Sequence, residues 1–182
     1  MTRLYIDADA CPVMREALAV ARELRIPCVI AGNTTQNLER SVRATDPREP
    51  RDPQRPDHGF WVRVLQVGVG ADSADFAIVS ELTPEDVVVT QDIGLADMVL
   101  GRGARAIGVR GRVYSPLTID SLMLIRHEEK KVRRAGGRTR GPAAFTSEDR
   151  ARFRTNLRRL LKTPPDERTP HDGQTVASNP DE

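Results

Sequence analysis

The segment that most constrains the fold stands at the start of the chain, where an apolar run ends in two carboxylates and a proline. Residues 4–12 read Leu-Tyr-Ile-Asp-Ala-Asp-Ala-Cys-Pro. The apolar run predicts a buried strand, and Pro12 is expected to open the following helix, because proline suits the first turn of a helix. A buried strand should not carry acids, so we expect Asp7 and Asp9 where this strand leaves the sheet.

The next segments complete a strand-helix-strand unit. Apolar side chains recur at helical spacing over residues 13–24, and residues 27–31 form a second short apolar run that closes at Gly32 and Asn33. Two strands joined by one helix over so short a stretch favour parallel pairing through a right-handed crossover.

The same alternation of strand and helix continues along the chain. Three further strands are predicted over residues 60–67, 87–90 and 104–109. Four further helices are predicted over residues 73–82, 93–102, 118–134 and 146–161. Together these patterns predict an α/β fold of three layers, with a mainly parallel sheet of about five strands flanked by helices.

Length and composition indicate one domain with added segments. The chain has 182 residues, 38% of them hydrophobic, which is enough for one well-buried core and short for two domains. We expect a single domain over residues 1–162, with a proline-rich loop insertion at about residues 43–59 and a disordered tail over residues 163–182. Neither added segment has an apolar face to bury.

Neither a membrane segment nor a disulfide framework is expected. No apolar run approaches the roughly 20 residues that span a bilayer, and the first residues lack the apolar region of a signal peptide, so we expect a cytoplasmic protein. Cys11 and Cys28 are too few for a disulfide framework and have no metal-ligand spacing around them. We expect both to be free, reduced thiols. Cys11 lies at a predicted helix N-terminus, a position that can lower a thiol pKa, but no histidine lies near it in the sequence to suggest a nucleophile.

Polar side chains follow four of the predicted strands. They are Asp7 and Asp9 after the first strand, Asn33 after the second, Asp72 and Asp75 after the third, and Asp92 after the fourth. The carboxyl ends of parallel strands meet at one edge of a sheet, where α/β folds bind ligands. Clustered carboxylates repel each other unless a cation neutralises them, and oxygen ligands favour Mg²⁺ or Mn²⁺ over zinc. We therefore expect these five aspartates to form a divalent-metal site, with polar support from Asn33, Thr90 and Gln91.

Helix capping is an alternative role for some of these acids. Asp72 and Asp75 have the spacing of an N-cap residue and its partner three positions on, and Asp92 directly precedes a predicted helix. Asp7 and Asp9 are harder to explain in this way, because one capping residue suffices for a helix. Both roles remain open for the later acids.

Charge is distributed unevenly along the chain. Residues 126–162 hold 13 basic and 4 acidic side chains, whereas residues 1–125 hold 14 and 17. A basic arm beside an acidic centre is typical of a protein that binds polyanions, although a solvated helix face would have the same composition. The candidate phosphate contacts are Lys130, Lys131, Arg133, Arg134, Arg138 and Arg140. Aromatic residues make up only 4% of the chain, so base stacking is limited to Trp61 or Tyr114.

Four segments together resemble a known family. They read DADACPV at residues 7–13, GADSADFAI at residues 70–78, VVTQDIGLA at residues 88–96 and GPAAF at residues 141–145. In this order they resemble the YaiI/YqxD family of small bacterial proteins, which is grouped with the PIN-like nuclease superfamily. The likeness covers about residues 3–161, and the insertion is longer than the family leads us to expect.

The resemblance implies a PIN-like fold whose acidic centre holds divalent metal for phosphodiester hydrolysis. By motif, Asp7 and Asp9 belong to the first block, Asp72 and Asp75 to the second, and Asp92 to the third. We expect a Mg²⁺- or Mn²⁺-dependent nuclease acting on RNA or single-stranded DNA, with RNA favoured by the superfamily. One ion held by Asp7 and Asp92 would activate water, and a second, shared with the other aspartates, would stabilise the leaving oxygen.

Two other functions are compatible with the same residues. One is a nucleic-acid-binding or regulatory module that keeps the fold without turnover. The other is a phosphatase with Asp7 as nucleophile and Asp9 as acid and base, although that chemistry needs a lysine and none precedes Lys130. The sequence predicts no oligomeric state.

Overall fold

The computed structural model describes residues 1–9, 11–33, 38, 59–68, 73–134, 136 and 143–164. It gives bounds for five strands and five helices: β1 (Leu4–Asp7), α1 (Met14–Glu23), β2 (Cys28–Asn33), β3 (Val62–Val67), α2 (Ser73–Glu81), β4 (Val87–Val89), α3 (Ile93–Gly101), β5 (Arg105–Ile107), α4 (Pro116–Arg134) and α5 (Ser147–Lys162). The predicted insertion and tail lie outside the described residues, apart from Gly59, Thr163 and Pro164. No helix within the described ranges is both long and apolar enough to cross a bilayer.

The five strands form one parallel sheet in the order β3-β2-β1-β4-β5. The strand β1 is central, because Ile6 lies opposite Ile30 of β2 on one side and Val89 of β4 on the other. The chain thus builds the sheet outward from β1 to β3 and then returns to the other side of β1. In open α/β sheets the point where the strand order reverses, here between β1 and β4, is where ligands bind.

Alternate side chains of β1 enter two separate apolar cores. Leu4 and Ile6 pack with α1 and α5, whereas Tyr5 packs on the opposite face with α2, α3 and the first turns of α4. All four residues of β1 are buried, as expected for a strand covered on both faces. The α/β fold with a parallel sheet flanked by helices, as predicted from the sequence, is confirmed.

A buried carboxylate ties β1 to β4 at the amino ends of these strands. Asp86 is fully buried, and it accepts hydrogen bonds from the backbone N–H groups of Arg3 and Thr83, both at 2.8 Å. The Thr83 hydroxyl donates to it at 3.0 Å, and the Arg3 guanidinium lies at 3.2 Å. These bonds hold the two central strands side by side, and the opposite ends of the same strands carry the candidate site.

The start of α1 differs from the prediction. The helix begins at Met14 with Val13 at the N-cap, so Pro12 lies before the helix rather than in its first turn. No side chain caps this end of α1. Pro12 therefore precedes α1, and neither Asp7 nor Asp9 caps this helix.

Candidate functional site

Asp7, the last residue of β1, is held at the carboxyl edge of the sheet by two hydrogen bonds. Its Oδ2 accepts from the Thr90 hydroxyl at 2.7 Å, and its Oδ1 accepts from the backbone N–H of Asp9 at 3.0 Å. Thr90 directly follows β4, so the first bond joins the two strands that flank the point of reversal. Burial raises the pKa of the Asp7 carboxyl; the two hydrogen bonds oppose this shift, and the charges of Asp9 and Asp92 add to it.

The Thr90 hydroxyl also connects Asp7 to Asp92. Its oxygen accepts from the backbone N–H of Asp92 at 2.9 Å while its proton points to Asp7. Thr90 is almost fully buried, which fixes this bridge within the sheet edge. Two residues 85 positions apart in the chain are thereby linked through a single side chain.

Asp92 has the capping role that the sequence left open. Its Oδ1 accepts from the backbone N–H of Gly94 at 2.7 Å and so caps α3. Capping occupies part of the acceptor capacity of the carboxylate, since each ionised oxygen can accept more than one hydrogen bond. A capping role and a ligand role are therefore compatible for Asp92.

Arg126 of α4 faces the same carboxylate with both ends of its guanidinium. The distances are 2.6 Å from Nη1 to Oδ1 and 3.3 Å from Nη2 to Oδ2. The hydrogen bond from Arg126 is the main reason that the pKa of Asp92 is lowered, against the opposing effect of burial. The two linked acids thus have pKa shifts of opposite sign, with Asp7 raised and Asp92 lowered.

Arg126 is not among the site residues predicted from the sequence, where it counts only toward the basic composition of residues 126–162. Its pairing depends on α4 packing against α3, which composition does not reveal. The available signal was helical spacing, because Arg126 lies one turn after Leu122 in α4.

For the other predicted site residues, the structure gives position and exposure for some and leaves one undescribed. Asp9 is exposed in the turn after β1, Gln91 is exposed between Thr90 and Asp92, and Asp75 is half-buried in the first turn of α2. Asn33 ends β2, and Asp72 lies outside the described residues. Within the described ranges, no three His, Cys, Asp or Glu side chains are grouped so as to hold a metal ion. The oxygen donors of Asp7 and Asp92 suit Mg²⁺ or Mn²⁺ in type, and the five-aspartate metal site stays a prediction.

Comparison with known proteins identifies the family. A family model described as "Uncharacterized BCR, YaiI/YqxD family" matches residues 50–163. The chain belongs to the YaiI/YqxD family. The resemblance seen in the sequence is confirmed.

Similar YaiI/YqxD proteins span nearly the same length. A UPF0178 protein of Clostridium acetobutylicum is 37% identical over 161 residues, covering 87% of this chain and 96% of the relative. UPF0178 proteins of Exiguobacterium sibiricum and Heliobacterium modesticaldum are each 36% identical, covering 87% and 88% of this chain and 96% and 97% of the relatives. No solved structure matches the chain significantly.

The basic arm of this YaiI/YqxD protein is only partly described. Lys130, Lys131 and Arg134 are exposed in the second half of α4. The backbone of Arg133 lies in the same helix, and Arg138 and Arg140 fall outside the described residues. Arg126, Lys130 and Arg134 recur every four residues, so they form one row that leads away from Asp92 along the helix. Contact with nucleic acid remains a prediction for these residues.

The environment of Cys11 does not lower the pKa of its thiol. Burial raises this pKa to about 11, and the hydrogen bond with the Val13 backbone offsets only part of this effect. The cost of burying a thiolate exceeds any benefit from lying near a helix N-terminus. Cys11 and the buried Cys28 are both free thiols.

Proposed function

We propose that this protein is a divalent-metal-dependent nuclease that hydrolyses phosphodiester bonds in nucleic acid. The observation that carries the proposal is the link between Asp7 and Asp92 through the Thr90 hydroxyl, at the point where the strand order reverses. Thr90 fixes the Asp7 carboxylate and the backbone of Asp92, and the Gly94 N–H and Arg126 hold the Asp92 carboxylate. Two carboxylates held in this way at adjacent strand ends are suited to share a hard cation. RNA is the preferred substrate class on the strength of the resemblance to PIN-like nucleases.

Each group at the site would contribute a separate function. Asp7 and Asp92 would hold the Mg²⁺ or Mn²⁺, and the ion would supply Lewis-acid polarisation of a phosphoryl oxygen and a lowered pKa for water. Thr90 fixes one oxygen of Asp7, and the Asp9 N–H fixes the other, so the carboxylate is oriented before any ligand arrives. Arg126 neutralises Asp92 and has the planar guanidinium that binds phosphate oxygens.

The row of cations on α4 supports a polyanionic substrate. Arg126 lies at Asp92, and Lys130 and Arg134 follow at intervals of four residues, about 6 Å of helix each. Contacts of this kind bind the phosphate backbone and position it without reading the bases. A strand bound along α4 would therefore be directed toward Asp92.

Cleavage and thermal stability test this proposal together. The chelator-stripped protein is incubated with labelled single-stranded RNA and DNA in the presence of Mg²⁺ or Mn²⁺, and its melting temperature is measured with and without the metal. A metal at 100 times its dissociation constant stabilises the folded protein by about 2.7 kcal/mol. We expect both cleavage and this stabilisation to disappear in Asp7→Asn combined with Asp92→Asn.

The matched control is Asp97→Asn, which removes an exposed acid from α3, the helix that Asp92 caps. This variant should retain both cleavage and the metal-induced rise in melting temperature. Unchanged cleavage in the double variant, or no cleavage by the parent protein with either metal, would overturn the proposal.

A second candidate function is a nucleic-acid-binding module without turnover. It is favoured by the finding that the described residues include no group of three metal-binding side chains. This module would bind labelled RNA with strong salt dependence and yield no product with any metal. Neutralising Lys130, Lys131 and Arg134 should then weaken binding, whereas binding that is unaffected would show that the row is only a solvated face.

A further inference from the structure

A cavity of about 540 Å³ opens beside Asp92, between the loops that follow β4 and β5. Its wall includes Gln91, Ile93, Arg112, Tyr114, Leu122 and Arg152. This volume is within the usual range of about 300 to 1,000 Å³ for small-molecule sites. The cavity combines apolar and aromatic side chains with guanidinium groups, and Gln91 is also one of the residues predicted to support the metal site.

The cavity is lined in part by residues that neighbour the candidate metal site. Gln91 and Ile93 flank Asp92 in the chain, and Leu122 lies one helical turn before Arg126 on α4. Burial raises the pKa of the Tyr114 phenol, Arg112 lowers it and Asp92 raises it, so both charges act on this ring. A molecule in the cavity would therefore lie next to the Asp92 carboxylate.

The loop that carries Arg112 is rigidly built. The Gly108 N–H donates to the Arg112 carbonyl and the Gly111 N–H donates to the Gly108 carbonyl, both at 2.8 Å. The Asn156 side chain donates to the Gly111 carbonyl at 2.7 Å. Gly111 has a φ of +82°, and a Cβ added there would lie 2.8 Å from the Phe153 backbone nitrogen. The loop thus packs closely against α5, and its hydrogen bonds hold the backbone of Arg112 in place.

Three arginines line this cavity, and they differ in how far they are already paired. Arg110 donates to the Asp149 carboxylate and to the carbonyls of Ala143 and Ala144, which fastens α5 to the loop. Arg152 lies 3.7 Å from the same carboxylate and keeps 58% of its side chain exposed. Arg112 is exposed as well.

One carboxylate, Asp149, thus faces two guanidinium groups, and no acidic side chain is among the described residues that line the cavity. The cavity has an excess of positive charge. Arginine binds phosphate through two parallel hydrogen bonds, which makes Arg112 and Arg152 suitable for an anionic phosphoryl group.

We propose that this cavity binds one nucleotide unit, with its phosphate against Arg112 and Arg152 and its base against Tyr114, Ile93 and Leu122. The aromatic ring and the apolar wall accept the face of a base, and stacking of this kind tolerates any base. The proposal rests on the proposed function, because it places a nucleotide of the substrate next to Asp92. The proposal adds that the protein binds the base and phosphate of one nucleotide of its substrate, besides contacts along the phosphate backbone.

Calorimetric titration of the full chain in the presence of EDTA tests this proposal without any metal. The probes are adenosine 5′-monophosphate, uridine 5′-monophosphate, adenosine and inorganic phosphate. We expect both nucleotides to bind with similar affinity, and adenosine and phosphate to bind at least about tenfold more weakly, because each retains only part of the contact.

Variants then assign the contacts. Arg112→Ala combined with Arg152→Ala should weaken nucleotide binding at least about tenfold, and replacing both arginines by lysine should restore part of it. Tyr114→Leu should weaken nucleotide binding and leave phosphate binding unchanged. The matched control is Arg154→Ala, which removes an exposed arginine of α5 that does not line the cavity and should bind as the parent does.

The two proposals fail in different ways. Nucleotide binding that depends on Arg112 and Arg152, with no cleavage in any metal, would support the cavity and overturn the nuclease. Cleavage that depends on Asp7 and Asp92, with no nucleotide binding or with equal binding by the double arginine variant, would overturn the cavity and leave the nuclease standing.

Discussion

Replacing Thr90 by valine should destabilise the protein by removing the bridge between the two acids. Valine keeps nearly the same shape but can neither donate to Asp7 nor accept from the Asp92 N–H, and Thr90 is only 1% exposed. A hydrogen bond to a charged group contributes about 1.5 to 3 kcal/mol, and a backbone donor left without a partner costs about 1 kcal/mol or more. We therefore expect a loss of about 3 kcal/mol in the free energy of unfolding.

Urea denaturation followed by circular dichroism measures this loss, with Thr90→Ser as the control. Serine keeps the hydroxyl and loses only a methyl group, which costs about 1 kcal/mol in a packed site. The valine variant should thus be less stable than the serine variant by about 2 kcal/mol. Equal stability of the two variants would refute the assignment of Thr90 as the bridge.

The pH dependence of this difference provides a second check. The folded-state pKa of Asp7 is raised, so its ionised form is less stable in the folded protein than in the unfolded chain. This lowers the free energy of unfolding by the full amount at pH values above the folded-state pKa, and the loss diminishes as the pH falls through that pKa. The Thr90 hydrogen bond lowers this pKa, so its loss raises the pKa further and enlarges the penalty at neutral pH. The gap between valine and serine should therefore be largest near pH 7 and shrink in mild acid; a gap that grows in acid contradicts this assignment.

Two further substitutions test the parts of the fold that support the site. Asp86→Ala removes a buried carboxylate that accepts from the Arg3 and Thr83 N–H groups and pairs with the Arg3 guanidinium, and it should cost about 3 kcal/mol or more in urea denaturation. Glu85→Ala, at the exposed neighbour, should stay close to the parent, and equal losses would contradict the role of Asp86. Gly111→Ala combines a positive φ with a contact to the α5 backbone and should lower stability by about 2 kcal/mol or more. In contrast, Gly101→Ala has open space at the end of α3 and should be neutral or stabilising; a Gly111 variant that behaves in the same way would show that the loop does not press on α5.

The fold could be predicted because the sheet imposes a simple pattern. Leu4, Tyr5 and Ile6 of β1 are fully buried, and a strand covered on both faces reads as a continuous apolar run. The acids at the ends of β1 and β4 could be placed at one edge because parallel strands share an edge. The position of Thr90 followed from the same rule, although its double hydrogen bond did not.

The features that the sequence did not predict depend on packing between distant segments. Arg126 reaches Asp92 only because α4 lies across α3, and helical periodicity does not fix that direction. The cavity borders the loop after β5. This strand ends at Ile107, two residues before its predicted end, and the chain turns at Gly108. The burial that raises the pKa of Cys11 also depends on packing, and the position of this residue along the chain does not reveal it.

The central position of β1 has a consequence for how the molecule is assembled. β2 and β3 lie on one side of this strand, and β4 and β5 lie on the other. The pairing of β1 with β4 therefore joins the strands from the first part of the chain to those from the second part. Asp7 is carried by the first part, and Thr90, Asp92 and Arg126 are carried by the second. Neither part contains the linked pair by itself. The link between Asp7 and Asp92 therefore forms only when β4 is paired with β1.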